Sequence, residues 1–188
     1  MPTEIEAKVA VEALEPIAER LTRLGAQPHG AARQRDTFFA DAQGRLIEAG
    51  YGLRIRRQTG GGASKALLTL KGPKAPSRYK VRPETEVEIA DPEAMEAILE
   101  QLGYRRLLVI EKDRDTWHLD GCEVCLDRVA RLGTFVEVEG PDEHAIRRVL
   151  VRLRLDGLEP IRAGYARLVR EHLDRTDSGK REAVFDDE

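Results

Sequence analysis

The chain has 188 residues, 41% hydrophobic and 35% charged, with a formal net charge of −3. That length suits one well-cored domain, and the balance gives neither the basic excess of a nucleic-acid binder nor an apolar run long enough to span a membrane. The opening Met1-Pro2-Thr3-Glu4 lacks the basic and apolar regions of a secretory leader, so a cytoplasmic protein is expected.

The first expected element is a strand, Glu4-Ile5-Glu6-Ala7-Lys8-Val9. Strand side chains alternate between faces, so Glu4, Glu6 and Lys8 share one face while Ile5, Ala7 and Val9 share the other. An amphipathic helix follows, with Leu14, Ile17, Leu21 and Leu24 on one stripe, Pro16 near its start and Gly25 at its stop. Arg35-Asp36-Thr37-Phe38 comes next, then a strand from Gly52 to Arg57 that puts Arg54 and Arg56 on one face. Gly60-Gly61-Gly62 reads as a hairpin loop and not a phosphate loop, because no helix or Lys-Ser/Thr follows it.

Ala66 to Lys71 and Ser77 to Ile89 are further strands, separated by the loop Gly72-Pro73-Lys74-Ala75-Pro76. In the second of them Arg78, Lys80, Arg82, Glu84, Glu86 and Glu88 share a face, opposite Val81, Thr85, Val87 and Ile89. A helix with Met95, Ile98, Leu99 and Leu102 starts near Pro92 and stops at Gly103. The strand from Leu107 to Leu119 aligns Lys112 with Arg114, and Arg114-Asp115-Thr116-Trp117 echoes the earlier Arg-Asp-Thr-aromatic run. Glu123 and Asp127 share a face in the strand from Glu123 to Val129. Cys122 and Cys125 fall within this strand region without a second pair, so buried or neutral thiols are expected there rather than a zinc or redox site.

Glu137-Val138-Glu139 precedes a helix bearing Ile146, Val149, Leu150 and Leu153, with Pro141 near its start and its stop near Gly157. The last segment, 174–188, holds the acids Asp174, Asp177, Glu182, Asp186, Asp187 and Glu188 against Arg175, Lys180 and Arg181. It reads as a disordered acidic tail, leaving 1–173 as the folded domain. Three units thus share a Glu-x-Glu strand, a helix and a glycine stop, and the two Arg-Asp-Thr runs suggest two related half-barrels. The fold class is α+β, built on an antiparallel sheet with helices at its start, middle and end.

A sheet with one wet face also alternates charged and apolar residues. What shifts the reading here is that acid pairs occupy some strands and base pairs others. Closing the sheet into a barrel, apolar face outward under helices, would gather these charges inside. Acids could then hold divalent cations through oxygen, and bases could grip phosphate. On this reading like charges crowd the empty interior, so truncating one of them is expected to leave the fold intact.

Glu4-Ile5-Glu6-Ala7-Lys8 resembles the E-x-E-x-K signature of the CYTH, or triphosphate tunnel metalloenzyme, family. Leu53-Arg54-Ile55-Arg56, Leu68-Thr69-Leu70-Lys71, Glu111-Lys112-Asp113-Arg114, Leu126-Asp127 and the run from Leu132 to Glu139 resemble later family motifs in the same order. Gly164-Tyr165-Ala166-Arg167-Leu168 looks like the family's closing helix. The resemblance implies a closed eight-stranded antiparallel barrel with helices packed outside, Mg2+ or Mn2+ as cofactor, and a triphosphate substrate such as ATP, tripolyphosphate or thiamine triphosphate. Carried over by motif, Glu4, Glu6, Glu137 and Glu139 are metal-ligand positions, and Lys8, Arg54, Arg56, Lys71, Arg82, Lys112 and Arg114 are substrate-binding positions. Lys8 and Asp127 are the catalytic candidates, and a homodimer is suggested by the resemblance alone.

The family includes class IV adenylyl cyclases, thiamine triphosphatases and inorganic triphosphatases. Hydrolytic relatives often place a tyrosine after the Asp-Thr step to pair with the signature lysine. Here Phe38 and Phe39 stand there, and neither can share a proton. The expected activity is therefore cyclase-like, ATP to cyclic AMP and pyrophosphate. A triphosphatase is the alternative, and a non-catalytic polyphosphate or nucleotide binder is a third.

Overall fold

The structure is a computed structural model that describes residues 3–176 and 179–186. Its elements in chain order are β1 (Thr3–Val11), α1 (Glu15–Arg23), β2 (Gln27–Asp41), α2 (Arg45–Glu48), β3 (Gly52–Gly60), β4 (Ala63–Lys71) and β5 (Lys80–Ile89). There follow α3 (Pro92–Gln101), β6 (Tyr104–Leu119), β7 (Cys122–Val129), β8 (Gly133–Glu139), α4 (Glu143–Leu153), α5 (Tyr165–Thr176) and β9 (Glu182–Ala183). Strands β1 to β8 pair antiparallel in the order β2-β3-β4-β5-β1-β8-β7-β6, and β6 pairs back to β2. That last pairing closes the eight-stranded barrel, so backbone groups that an open sheet would leave at its edges are paired.

Local chemistry sets the turns and caps. Gly61 and Gly62, at φ 60° and 79°, make the two-residue turn between β3 and β4, where Gly60 pairs with Ala63. Asp91 and Asp142 accept hydrogen bonds from the amides of Ala94 and Ala145 and so cap α3 and α4. The α4 stop differs from the sequence expectation. Arg154 itself takes the left-handed conformation, at φ 58°, and the Leu155 amide donates to the Leu150 carbonyl. Gly157 is not needed for the turn.

Two apolar clusters lie outside the barrel. Val9, Val124, Val136 and Val138 pack beneath Leu21 of α1 and Ile146, Val149 and Leu150 of α4. Ile55, Leu53 and Phe39 pack beneath Leu99 of α3, with Ile89 and Met95 at the margin. The third cluster is inside. Ile110 pairs with Asp36 and Phe135 with Asp127, so these apolar residues share the inward face with charged ones. Val169 and Leu173 of α5 pack on them and seal that end of the barrel.

The part of 174–188 that is described carries structure where disorder was expected. Residues 174–176 finish α5, and β9 pairs parallel with Val109 and Ile110 of β6, burying Ala183 completely. The acidic composition of this segment does not reveal that Ala183 is apolar enough to dock beside an open stretch of β6. Asp177, Asp187 and Glu188 lie outside the described residues. The proposed repeat also differs. Asp36 is buried inside while Asp115 is exposed, so the two Arg-Asp-Thr runs present opposite faces. Among the described residues no helix is long and apolar enough to cross a membrane.

Candidate active site

Alternation along eight strands puts one residue in two into the barrel, and closure makes these residues neighbours. Lys8 stands opposite Glu137, Glu6 opposite both Lys80 and Glu139, Glu4 opposite Arg82, and Arg114 opposite Asp127. Glu4, Glu6, Lys8, Arg54, Arg56, Lys71, Arg82, Lys112, Arg114, Glu137 and Glu139 line one cavity of about 780 Å³. A second opening shares Glu4, Arg54, Arg56, Lys71, Arg114 and Glu139 and is rimmed by Glu84, Glu86 and Glu123. Asp127 is the predicted site residue outside this lining. It is fully buried behind Arg114 and Lys112. The apolar partners expected to face outward, Val9, Ile55, Val136 and Val138, do so with no exposure, and Ile5 packs beside them.

The charges are paired rather than crowded. Lys71 bridges Glu4 at 2.7 Å and Glu84 at 2.6 Å, and Arg82 approaches Glu4 at 3.5 Å. Lys80 holds Glu6. Lys8 lies 3.4 Å from Glu137 and donates to the Ala163 carbonyl at 2.9 Å. Arg114 donates to both Asp127 and Glu137. Arg56 forks onto Asp36 at 2.6 and 2.8 Å, and Arg54 reaches the same carboxylate at 3.3 Å. This pairing runs against the expectation that removing one interior charge is harmless, because removing Glu6 or Glu137 takes the carboxylate from a buried lysine, Lys80 or Lys8.

Burial and neighbours set the protonation states. Burial alone would raise the Asp36 and Glu137 carboxyls. Arg56 and Arg54 outweigh it for Asp36, and Arg114 with Lys8 for Glu137, holding both below the usual range. Burial, then repulsion from Arg114, pushes Lys112 down to about 7. Burial, then the carboxylates of Glu4, Glu6 and Glu123, pushes Glu139 up to about 7. Cys125 faces inward and burial pushes it up to about 12, while Cys122 is buried on the opposite face of β7.

The acids have the chemistry of a hard-cation site. Glu4 Oε2 is buried without a hydrogen-bond partner, and the Glu139 carboxyl bears the repulsion of neighbouring acids. Oxygen-rich, partly uncompensated carboxylates suit Mg2+ or Mn2+. Lysines hold Glu4 and Glu6 here, and among the described residues no three acidic, histidine or cysteine side chains stand at metal-binding spacing.

Three contributors were missed in the sequence. Asp36 stands in the sequence only as part of a repeat, and its inward face follows from its register opposite Arg56. Lys80 was placed on the charged face of its strand without a role. Tyr165 was read as part of a closing helix, but its hydroxyl donates to Asp127 at 2.7 Å and its ring lies 4.0 Å from the Lys8 ammonium.

A closed antiparallel barrel whose interior pairs acids with bases around a polar chamber defines a charge-lined tunnel protein. The chain belongs to the CYTH domain family, whose sequence pattern matches residues 2–149. It is 33% identical over 136 residues to MJ0240 of Methanocaldococcus jannaschii, named as a candidate adenylate cyclase, covering 72% of this chain and 75% of that one. The fold resembles PH1819 of Pyrococcus horikoshii OT3 at a TM-score of 0.77 and 28% identity, over 89% of this chain and 98% of that one. It also resembles HpAC1 from Hippeastrum, titled as a candidate adenylyl cyclase with a dominant triphosphatase activity, at a TM-score of 0.69 and 22% identity over 89% and 95% of the two chains.

Proposed function

We propose that the tunnel binds a metal-complexed triphosphate and that the enzyme converts ATP to cyclic AMP and pyrophosphate, with Mg2+ or Mn2+ as the metal. Membership of the CYTH family makes it an enzyme of the adenylyl cyclase-like or triphosphate phosphohydrolase kind. The observation that carries the nucleotide reading is the composition of the cavity. Its charged chamber runs on into an apolar wall of Phe38, Ile47, Tyr51 and Leu107. A volume of about 780 Å³ is in the range of pockets that hold a whole nucleotide-sized ligand, and the apolar wall suits a base or sugar.

Arg54, Arg56, Lys71, Arg82, Lys112 and Arg114 grip phosphate oxygens, with the arginine forks suited to two oxygens at once. Glu4, Glu6, Glu137 and Glu139 would hold the metal, which when bound would stabilise negative charge on those oxygens. Asp127 is a positioning residue, since it fixes Arg114 and Lys112 from behind. In the cyclase reaction the ribose 3′-hydroxyl oxygen bonds to the α-phosphorus as the bond to pyrophosphate breaks. Lys8 is the cavity amine assigned to the hydroxyl proton, which it takes in its neutral form; burial favours that form and the Glu137 carboxylate opposes it.

A triphosphatase is the second reading, favoured by the Tyr165 ring above Lys8, which supplies the lysine–phenol neighbourhood that Phe38 and Phe39 cannot. Product analysis with ATP, tripolyphosphate and thiamine triphosphate, each with Mg2+ and with Mn2+, separates them. Cyclic AMP with pyrophosphate is expected. Orthophosphate from tripolyphosphate with no cyclic product overturns the cyclase assignment, and no metal-dependent turnover of any substrate leaves a binding protein.

A further inference from the structure

Lys80 opens β5 in register with Glu6 and is itself buried, with 5% of its surface exposed. Its ammonium pairs with Glu6, and among the described residues that is its one ion pair. The neighbouring bases differ. Lys71 also holds Glu84 at 2.6 Å, so it keeps an acid if Glu4 turns away. Arg82 sits at a longer 3.5 Å from Glu4. Lys71, Lys80 and Arg82 thus stand against Glu4, Glu6 and Glu84, while Glu139 lies in register beside Glu6. A divalent cation entering this cluster meets an ammonium already on Glu6, and like charges at such range repel.

We infer that Lys80 is a tethered counter-ion of the metal site: it occupies Glu6 in the metal-free tunnel and must leave that carboxylate before a divalent cation engages it. The inference rests on the reading of Glu4, Glu6 and Glu139 as cation ligands. Once displaced, the ammonium stays in the cavity it lines, held by its stem, and adds a positive charge where the phosphates bind. Metal and polyanion then favour each other's binding, because each supplies the charge that the other's arrival leaves unbalanced. A lysine serving only to pin β5 to β1 would do none of this, since backbone pairing already fixes that register.

The test is titration of the full chain with Mn2+ alone, followed by electron paramagnetic resonance, and then with the Mn2+–tripolyphosphate complex. Lys80→Met and Lys80→Gln are expected to bind Mn2+ alone about tenfold tighter than the parent, which is about 1.4 kcal/mol. They are expected to bind the tripolyphosphate complex several-fold more weakly. Lys80→Arg keeps the charge and should stay near the parent in the first titration. Unchanged or weaker Mn2+ binding in both neutral variants overturns the inference, as does equal tightening in Lys80→Arg. If one neutral variant does not fold, the other against Lys80→Arg decides. Glu6→Gln separates the two layers. Parent binding of Mn2+ no tighter than this variant's removes the metal reading and the role of Lys80 with it. Binding that depends on Glu6 but not on Lys80 removes the role of Lys80 alone.

Discussion

Asp36 anchors two of the guanidinium groups proposed to grip the substrate, and replacing it with asparagine removes their shared charge. Arg56 gives it two hydrogen bonds, at 2.6 and 2.8 Å, and Arg54 a third contact at 3.3 Å. All three side chains are at least 87% buried, so solvent offers little compensation. Stripping one partner from a buried ion pair costs about 3–5 kcal/mol. Since both arginines also line a cavity that water can enter, the lower figure of about 3 kcal/mol applies. For a chain of this size that lowers the melting temperature by about 6–12 °C. The loss belongs to neutral pH. Asp36 has its proton affinity depressed by the arginines, so its stabilisation is present above the unfolded carboxyl value of about 3.9 and fades as pH falls through the lower folded value. Thermal unfolding of parent and Asp36→Asn at pH 7.5 and at low pH, with and without tripolyphosphate, measures this. Tripolyphosphate should stabilise the variant more than the parent, because its oxygens replace the missing carboxylate. A variant within about 1 kcal/mol of the parent at pH 7.5, with the same ligand shift, would refute the anchoring role.

Lys112 is pushed down to about 7, so tripolyphosphate binding at pH 8 should take up close to one proton as the anion recharges it. Calorimetry in two buffers of different ionisation heat reads this, and Lys112→Arg should abolish it. The same depressed value means the unfolded chain binds more protons between about 7 and the ordinary lysine value of about 10.4, so this group's contribution to stability rises with pH across that window. Tyr165→Phe deletes the hydroxyl that donates to Asp127 but keeps the ring over Lys8, and should cost about 1.5 kcal/mol in denaturant unfolding. Glu137→Ala strands Lys8 and leaves Arg114 with Asp127 alone, and should lower both the unfolding midpoint and turnover at limiting Mn2+. Full activity of that variant at limiting metal removes Glu137 from the metal set.

The barrel was legible because its strands obey a period of two and its helices a period near 3.6. Glu4, Glu6 and Lys8 could be assigned to one face before any partner was known, and so could Arg54 and Arg56. What the pattern could not give was which charges meet. Lys80 and Glu6 become neighbours only because β5 pairs with β1, and Asp36 meets Arg56 only through the register of β2 on β3. A repeat of residue letters also misled. Asp36 and Asp115 sit in similar runs, but in each strand the face is set by its register, and they point opposite ways. Tyr165 was beyond reach for another reason: its role depends on α5 closing the barrel's end, which no local periodicity encodes.

The pairings that complete the barrel join segments far apart in the chain. β3 and β4 meet through a two-glycine turn, and β6, β7 and β8 meander locally, but β1 must find β8 and β2 must find β6. Such contacts form late, since a long loop has to be closed before they return any stabilisation. During synthesis β1 therefore leaves the ribosome well before the strand that will cover its β8 side exists. Until then Glu4, Glu6 and Lys8 are ordinary solvated side chains on a nascent strand. The charged chamber comes into being only when the first and last strands of the barrel dock, so the proposed polyanion site and the completion of folding arrive in the same step.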